Sequence, residues 1–402
     1  MLPSKAVRRL HGGGVHTDHA YTLLYIGISE HRHMTNLLKE TLLIFLGVCL
    51  LNSCSYRQAK DAKGKNDLQY ATFLKMDDQG DGTSVTVMDP WQQGKVLQQW
   101  LLLKAGSKEK AHGTLRPLRR VVVFTTSHCQ LLEYLHLQDR IVGVCDLQYI
   151  LIPDIQRRVK AGKIVDCGNS MSPDVEKIIA LHPDAIIISP YEGNTAITQL
   201  SRLGIPIIQA ADYMETSALG RAEWMRYYGR LFDCGERADS LFHVVDSTYQ
   251  SLKSYAARLP LGKSILTERM TGNVWYMPGG KSTVAAIIHD AHGRYAFADD
   301  RHSGSLPLSL EQVIAKAGQS DVWALKYNGP QPLTKKALLQ ECKAYSVLKA
   351  MKTGQIYVCD CTVVPYFEEV SWRPDWQLRE FIQLLHPQAK LGGLRYYRKE
   401  NS

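Results

Sequence analysis

The sequence predicts an α/β protein of two Rossmann-like lobes with parallel sheets, joined by a single long helix and preceded by a β-hairpin extension. Three observations lead there. Cys234 to Pro260 reads CGERADSLFHVVDSTYQSLKSYAARLP, with Ala238, Leu241, Phe242, Val245, Tyr249, Leu252 and Ala256 apolar at a helical period, Gly235 opening it and Pro260 closing it. Strand–helix alternation runs up to that helix and restarts after it. Each half also carries a similar unit: Glu176 to Ala180 (EKIIA) leading to Asp184 to Ile187 (DAII), and Glu311 to Ala315 (EQVIA) leading to Asp321 to Ala324 (DVWA), with a two-residue insertion in the second.

The first element in chain order is a leader. Residues 1–33 carry His, Gly and Arg without a clear period and precede a second methionine, Met34. From Met34 a short polar stretch runs into ten apolar residues, Leu42 to Leu51. Ten is too few for a bilayer span, which takes about 20, but suits a signal-peptide core. Leu51, Asn52, Ser53 and Cys54 look like a bacterial lipobox, which marks residues 34–53 as a lipoprotein signal peptide, Cys54 as the lipidated residue and 1–33 as a doubtful extension. Several acyl chains on Cys54 would suffice for a stable anchor where one would not. Residues 54–67 then read as a polar tether.

The hairpin is expected from Gln69 to Leu74 and Ser84 to Met88 around Asp77 to Gly82, with a further strand at Val96 to Leu103. Arg120 to Thr126 reads as a buried strand, Ser127 to Leu137 as a helix and Ile141 to Val144 as the next strand. Ser172 as cap and Pro173 at the first helical position open a helix that runs into the strand Ala185 to Ser189, followed by a strand at Leu203 to Ile208. The first lobe is thus 68–234, the linker 235–259 and the second lobe 260–402. In that lobe Ser264 to Thr267 is a strand, Trp275 to Gly280 a turn, Ser282 to His289 a helix, and Ser309 opens the helix that leads to the strand at Asp321 to Leu325.

With 402 residues, 45% of them hydrophobic and 22% charged, the chain has ample material for two cores. The formal net charge is +9, of which residues 1–53 contribute +2 (five Lys/Arg against three Asp/Glu). The positive charge suits an anionic ligand or surface. The basic residues are dispersed, however, without a basic helix or aromatic nucleic-acid motif, which argues against nucleic-acid binding. Gly279 to Ser282 (GGKS) ends like a phosphate loop, but Trp275 stands where its first glycine belongs. No Gly-x-Ser-x-Gly elbow occurs. His289, Asp290 and His292 could contribute to a metal site but read more simply as a solvated helix terminus, and no metal site is expected. Of nine cysteines, Cys49 lies in the leader and Cys54 at the lipobox; the seven others are an odd number and cannot all pair internally. On a strand, Cys359 and Cys361 would face the same side.

Glu176 and Glu311 each lie in the first turns of a helix, a place the helix dipole favours for a carboxylate. On this feature, on EKIIALHPDAIII and SLEQVIA, and on Leu219 to Phe232, Val274 to Ser282 and Arg373 to Pro387, the chain resembles the solute-binding proteins of ABC importers for iron chelates, haem and cobalamin, over residues 68–395 and in the lipoprotein form found in Bacteroidetes. The resemblance implies an anchored protein on the periplasmic face of a bacterial membrane. Its partners would be an ABC permease dimer with its ATPase, docked through Glu176 and Glu311. Its cargo would be an iron chelate (siderophore or haem) or, as the alternative, a corrinoid, with no bound cofactor and no catalysis. Ligands in such sheets lie at strand ends, so Ser127, His128, Tyr191, Tyr213, Arg269, Trp275, Tyr276, Arg301, Tyr327, Tyr366 and Trp372 are the candidate ligand contacts. The competing class is a chelatase-like tetrapyrrole enzyme of similar build, which would want a His–carboxylate pair in the cleft and has no use for a lipobox.

Overall fold

In the computed structural model, residues 66–109 and 113–400 are described; the leader, Cys54 and the tether up to residue 65 lie outside them. The first sheet is antiparallel: β1 (Leu74–Gln79), β2 (Gly82–Met88) and β3 (Val96–Leu103), with the short β4 (Thr114–Leu115) beside β3. The hairpin falls later in the chain than the sequence suggests. Leu74 and Met76 point inward at period two and carry the strand through Asp77 to Gln79, so the turn shrinks to Gly80 and Asp81, with Gly80 at φ +51°. Residues 69–73 instead wrap over two buried carboxylates: Glu223 accepts from the amides of Gln69, Tyr70 and Ala71, and Glu215 from those of Thr72 and Phe73.

The first lobe is built on β5 (Val121–Val123), α1 (Thr126–Tyr134), β6 (Ile141–Val144), β7 (Val165–Asp166), α2 (Val175–Ala180), β8 (Ala185–Ile188) and β9 (Ile207–Gln209). The strands form a parallel sheet in the order β9-β8-β5-β6-β7. Val121 and Val123 face one apolar cluster while Val122 and Phe124 face another, which is why the strand reads as an unbroken apolar run. Two boundaries move. Ser172 and Pro173 pair with Gly168 and Asn169, so Asp174 caps α2, accepting from Lys177 N at 3.0 Å. The last strand begins at Ile207, because Pro206 has no amide to give the ladder and serves only as acceptor for Ile186 N.

The linker helix, α3 (Gly235–Ala257), follows its apolar stripe: Ala238, Phe242, Val245, Tyr249 and Ala256 are buried. At 23 residues it spans about 35 Å. Gly229 lets it approach the helix Met225–Leu231, since a Cβ there would sit 2.5 Å from Ala238 Cβ.

The second lobe comprises β10 (Ser264–Thr267), β11 (Val274–Pro278), α4 (Thr283–Asp290), β12 (Arg294–Tyr295), β13 (Ser305–Leu308), α5 (Leu310–Ala317), β14 (Val322–Tyr327), β15 (Ile356–Asp360), α6 (Tyr366–Glu369), α7 (Pro374–Leu385) and β16 (Arg398–Lys399). Its main sheet runs β12-β10-β14-β15-β16, parallel except for the last strand. The stretch expected as a turn at Trp275 is the strand β11, paired to β13, with Trp275 and Met277 inward and Tyr276 outward. The two repeated units are α2 into β8 and α5 into β14, one in each sheet, and α5 carries a full Ser309–Gln312 capping box. Among the described residues no helix is long and apolar enough to cross a membrane.

Candidate functional site: the cleft between the lobes

Parallel sheets leave their functional loops at the carboxyl ends of the strands. Here the loops after β5 and β6 meet those after β14 and β15. Between them lies a cleft of about 450 Å³, lined by Thr126, Gln148, Tyr149 and Leu151 from one lobe and Asn328, Cys361, Thr362, Phe367 and Glu368 from the other. Tyr149 is 59% exposed and Phe367 50%, so both rings present apolar faces to solvent. Glu368 is buried and ties the lobes together: its Oε1 accepts from Thr126 Oγ1 at 3.0 Å and Leu151 N at 3.2 Å. Trp372 Nε1 adds a second tie, donating to Ser127 O at 2.6 Å.

An adjoining hollow of about 340 Å³ in the second lobe holds Glu268, Tyr276, Ser282, Ser305 and Lys326. Lys326 is ion-paired with Glu268. Burial works against its ammonium, but the charge of Glu268, then Tyr366, outweighs this and holds the Lys326 pKa up. A larger cavity, about 650 Å³, lies elsewhere, between the N-terminal sheet and the start of α3. Three of its charged groups are spent on one another, Arg230 bonding Asp239 at 2.8 Å and Asp78 at 3.2 Å, and none of its lining residues comes from the loops after β5, β6, β14 or β15.

Of the residues expected at the ligand, Ser127, His128, Trp275, Tyr366 and Trp372 are buried packing groups. The first two lie in the first turn of α1, facing inward. His128 Nε2 lies 2.9 Å from Asp212 Oδ1, and Arg221 Nε donates to the other Asp212 oxygen at 3.0 Å. Those two partners outweigh burial and hold the Asp212 carboxyl low. Trp275 Nε1 donates to Thr267 O, and Gln377 Nε2 to Tyr366 Oη. Rings of this size are drawn into cores, and the sequence marks them as aromatic without saying which way they face. Arg269 pairs with Glu341 and lies over the Tyr327 ring. Tyr213 Oη donates to Pro190 O, and Tyr191 Oη to Met171 Sδ. Tyr276 lines the adjoining hollow and Arg301 is exposed. Gln148, Tyr149, Asn328, Thr362, Phe367 and Glu368 were not foreseen. Tyr149 lies three residues beyond Asp146 in the loop after a foreseen strand, and Phe367 directly follows Tyr366, so strand ends were the available signal.

Glu176 and Glu311 are both exposed in the first turn of their helices, α2 and α5. Both helices precede parallel strands, so both carboxylates stand on the edge of the molecule where the strands end. A hydrogen bond from the Ser309 side chain, with the Glu311 backbone amide, lowers the Glu311 pKa. His289, Asp290 and His292 do not converge on one point: Asp290 lies 3.4 Å from His289 Nδ1 but also binds Lys253 and accepts from Tyr249 Oη, while His292 Nδ1 lies 2.9 Å from Leu259 O.

A family profile described as periplasmic binding protein matches residues 121–362. An uncharacterized lipoprotein of Methanocaldococcus jannaschii is 26% identical over 308 residues, 74% of this chain and 71% of its own length. A petrobactin-binding protein of Bacillus subtilis is 26% identical over 44% of this chain and 53% of its own. A cobalamin-binding protein of Halobacterium salinarum is 28% identical over 48% of this chain and 50% of its own. Among solved structures, an ABC-type Fe3+-hydroxamate transport system protein from Saccharomonospora viridis superimposes with TM-score 0.54 at 17% identity, covering 74% of this chain and 98% of that one. A periplasmic heme-binding protein from Pseudomonas aeruginosa does so with TM-score 0.55 at 16% identity, over 71% and 99%.

Proposed function

This chain belongs to the periplasmic binding protein family, and from that premise we propose that it is the lipid-anchored solute-binding component of an ABC importer for a metal chelate. The carrying observation is the cleft at converging strand ends, with Tyr149 and Phe367 presented to solvent from opposite lobes. Two aromatic faces across a gap suit a large, flat or chelated solute. The lobes, 68–234 and 260–402, would hold the solute. Cys54 would carry the lipid, and Glu176 and Glu311 would dock on the permease dimer that an ATPase drives. Tyr191, Tyr213, Arg269, Tyr276, Arg301 and Tyr327 remain candidates for secondary contacts at the rim.

Iron chelates and corrinoids both fit this frame, and relatives named for petrobactin and cobalamin binding support either. One observation favours the corrinoid: the cleft-lining residues include the amides of Gln148 and Asn328 but no Lys or Arg. A polyanionic ferric chelate calls for cations, whereas an amide-fringed neutral macrocycle calls for amides and hydroxyls. The test is titration of the purified protein with cobalamin, ferric siderophores and haem, followed by absorbance and tryptophan fluorescence. Saturable binding of one of them, weakened at least tenfold by Tyr149→Ala or Phe367→Ala, is the expected result. Binding untouched by both substitutions would move the site out of this cleft, and no response to any of the three would end the metal-chelate reading.

A further inference from the structure

We infer that Cys359 and Cys361 form a two-thiolate chelating site for a thiophilic divalent cation of the zinc and cadmium type, at the wall of the cleft. Their sulfurs lie 3.7 Å apart. Two thiolates bound to one ion at about 2.3 Å in tetrahedral geometry stand about 3.8 Å apart, so the pair already has the spacing of a tetrahedral edge. Its arrangement follows from the strand. Cys359 lies in β15, and Cys361 is the first residue after that strand ends at Asp360, its amide still bonding Tyr327 O at 2.8 Å, so the two side chains turn to one side.

The same backbone disfavours the competing chemistry. Residues i and i+2 of an extended chain hold their Cα atoms about 6.7 Å apart, the far limit for a disulfide, and the two sulfurs, 3.7 Å apart, would have to close to about 2.05 Å to bond. Both thiols are free. Access comes from one side only: Cys359 is buried, while Cys361 lines the cleft and leaves the remaining coordination positions to water or solute from there.

Binding one divalent ion forms two metal–sulfur bonds and releases two protons to solvent, with no change of oxidation state. The site is independent of which solute the cleft carries.

The test uses cadmium alone as the probe. The purified protein is titrated with cadmium chloride while the ultraviolet thiolate-to-cadmium charge-transfer band is followed, and free thiols are counted before and after mild reduction. One equivalent is expected to saturate the band, with Cys359→Ser and Cys361→Ser each abolishing it while Cys145→Ser, in the first lobe, leaves it intact. An unchanged thiol count on reduction is expected. A band that survives in Cys361→Ser, no band in wild-type protein whose circular dichroism is native, or a pair found oxidised before reduction would each overturn the inference.

Discussion

Replacing Glu223 by Gln tests whether the buried carboxylates after the first sheet hold the N-terminal segment in place. Glu223 is inaccessible to solvent and accepts from Gln69 N at 2.9 Å, Tyr70 N at 2.8 Å and Ala71 N at 2.9 Å. Gln is nearly the same size, but one oxygen becomes an NH2 group facing amides that can only donate. If that nitrogen replaces Oε2, the bonds from Tyr70 and Ala71 are lost and two donors confront a third. Bonds to a charged acceptor are worth about 1.5–3 kcal/mol each, and residues 69–71 are open enough to recover part of that from water, so a net loss of about 3 kcal/mol is expected. Against a total stability of about 5–15 kcal/mol this is a large share. Guanidinium unfolding followed by far-ultraviolet circular dichroism measures it, and limited proteolysis should cut the variant first near residue 70. Glu215, which holds Thr72 and Phe73 and also accepts from Trp224 Nε1 at 3.0 Å, belongs to the same clamp, so Glu215→Gln should cost less in the Glu223→Gln background than alone. A change below about 0.5 kcal/mol, within the range of an ordinary surface substitution, would refute the reasoning.

Burial, with the Asp154 carboxylate next in weight, pushes the Glu133 carboxyl from 4.5 up to about 7. The folded protein then keeps a proton that the unfolded chain releases, so stability falls as pH rises from about 4.5 to 7 and stays reduced above. Glu133→Gln should remove that slope and stabilise by about 1–2 kcal/mol above pH 7, after discounting for solvent screening, with no gain below pH 4. Parallel stability–pH curves for the two proteins would contradict this. Glu176→Gln combined with Glu311→Gln should abolish uptake in proteoliposomes bearing the cognate permease, with each single change costing severalfold and solute affinity unchanged. Equal loss of solute affinity would show that these carboxylates act on the cleft instead of the permease.

Much of the fold was legible because buried parallel strands and a one-sided helix write strong patterns. Val121 to Val123 and Ala185 to Ile188 are apolar on both faces, and the linker stripe set its helix ends within two residues. Local signals of equal strength misled. Ser172 with Pro173 and Asp174 alone are both sound helix starts, and a short hairpin to Gly168 and Asn169 decided for the second. Pro278, Gly279 and Gly280 made the Trp275 segment look like a turn, although Trp275, Tyr276 and Met277 alternate as a strand should. The site was harder to read, because a cleft exists only where loops distant in sequence meet. Leu151 and Glu368 are joined by one hydrogen bond across 217 residues, and no spacing rule reaches that far. Large rings near strand ends look alike in sequence, yet Trp372 is sealed beneath the lobes while Phe367, five residues away, faces out.

How the cleft admits a solute follows from how the lobes are joined. One continuous apolar cluster takes in Val121 and Val123 of the first sheet, Val245 and Tyr249 of the linker, and Val322 and Phe381 of the second lobe. The linker is braced on both sides, Tyr70 Oη donating to Asp246 and Tyr249 Oη to Asp290. Swinging the lobes apart about this helix would expose buried apolar surface at about 2.5 kcal/mol per 100 Å², and would also break the bonds Trp372 and Glu368 make across the gap. A wide hinge opening is therefore costly, while rotation of Tyr149 and Phe367, which are already half in water, costs little. On the proposed reading, recognition would rest on ring movement and on release of the Glu368 contacts at the mouth of the cleft, with the linker keeping Glu176 and Glu311 at a nearly fixed separation.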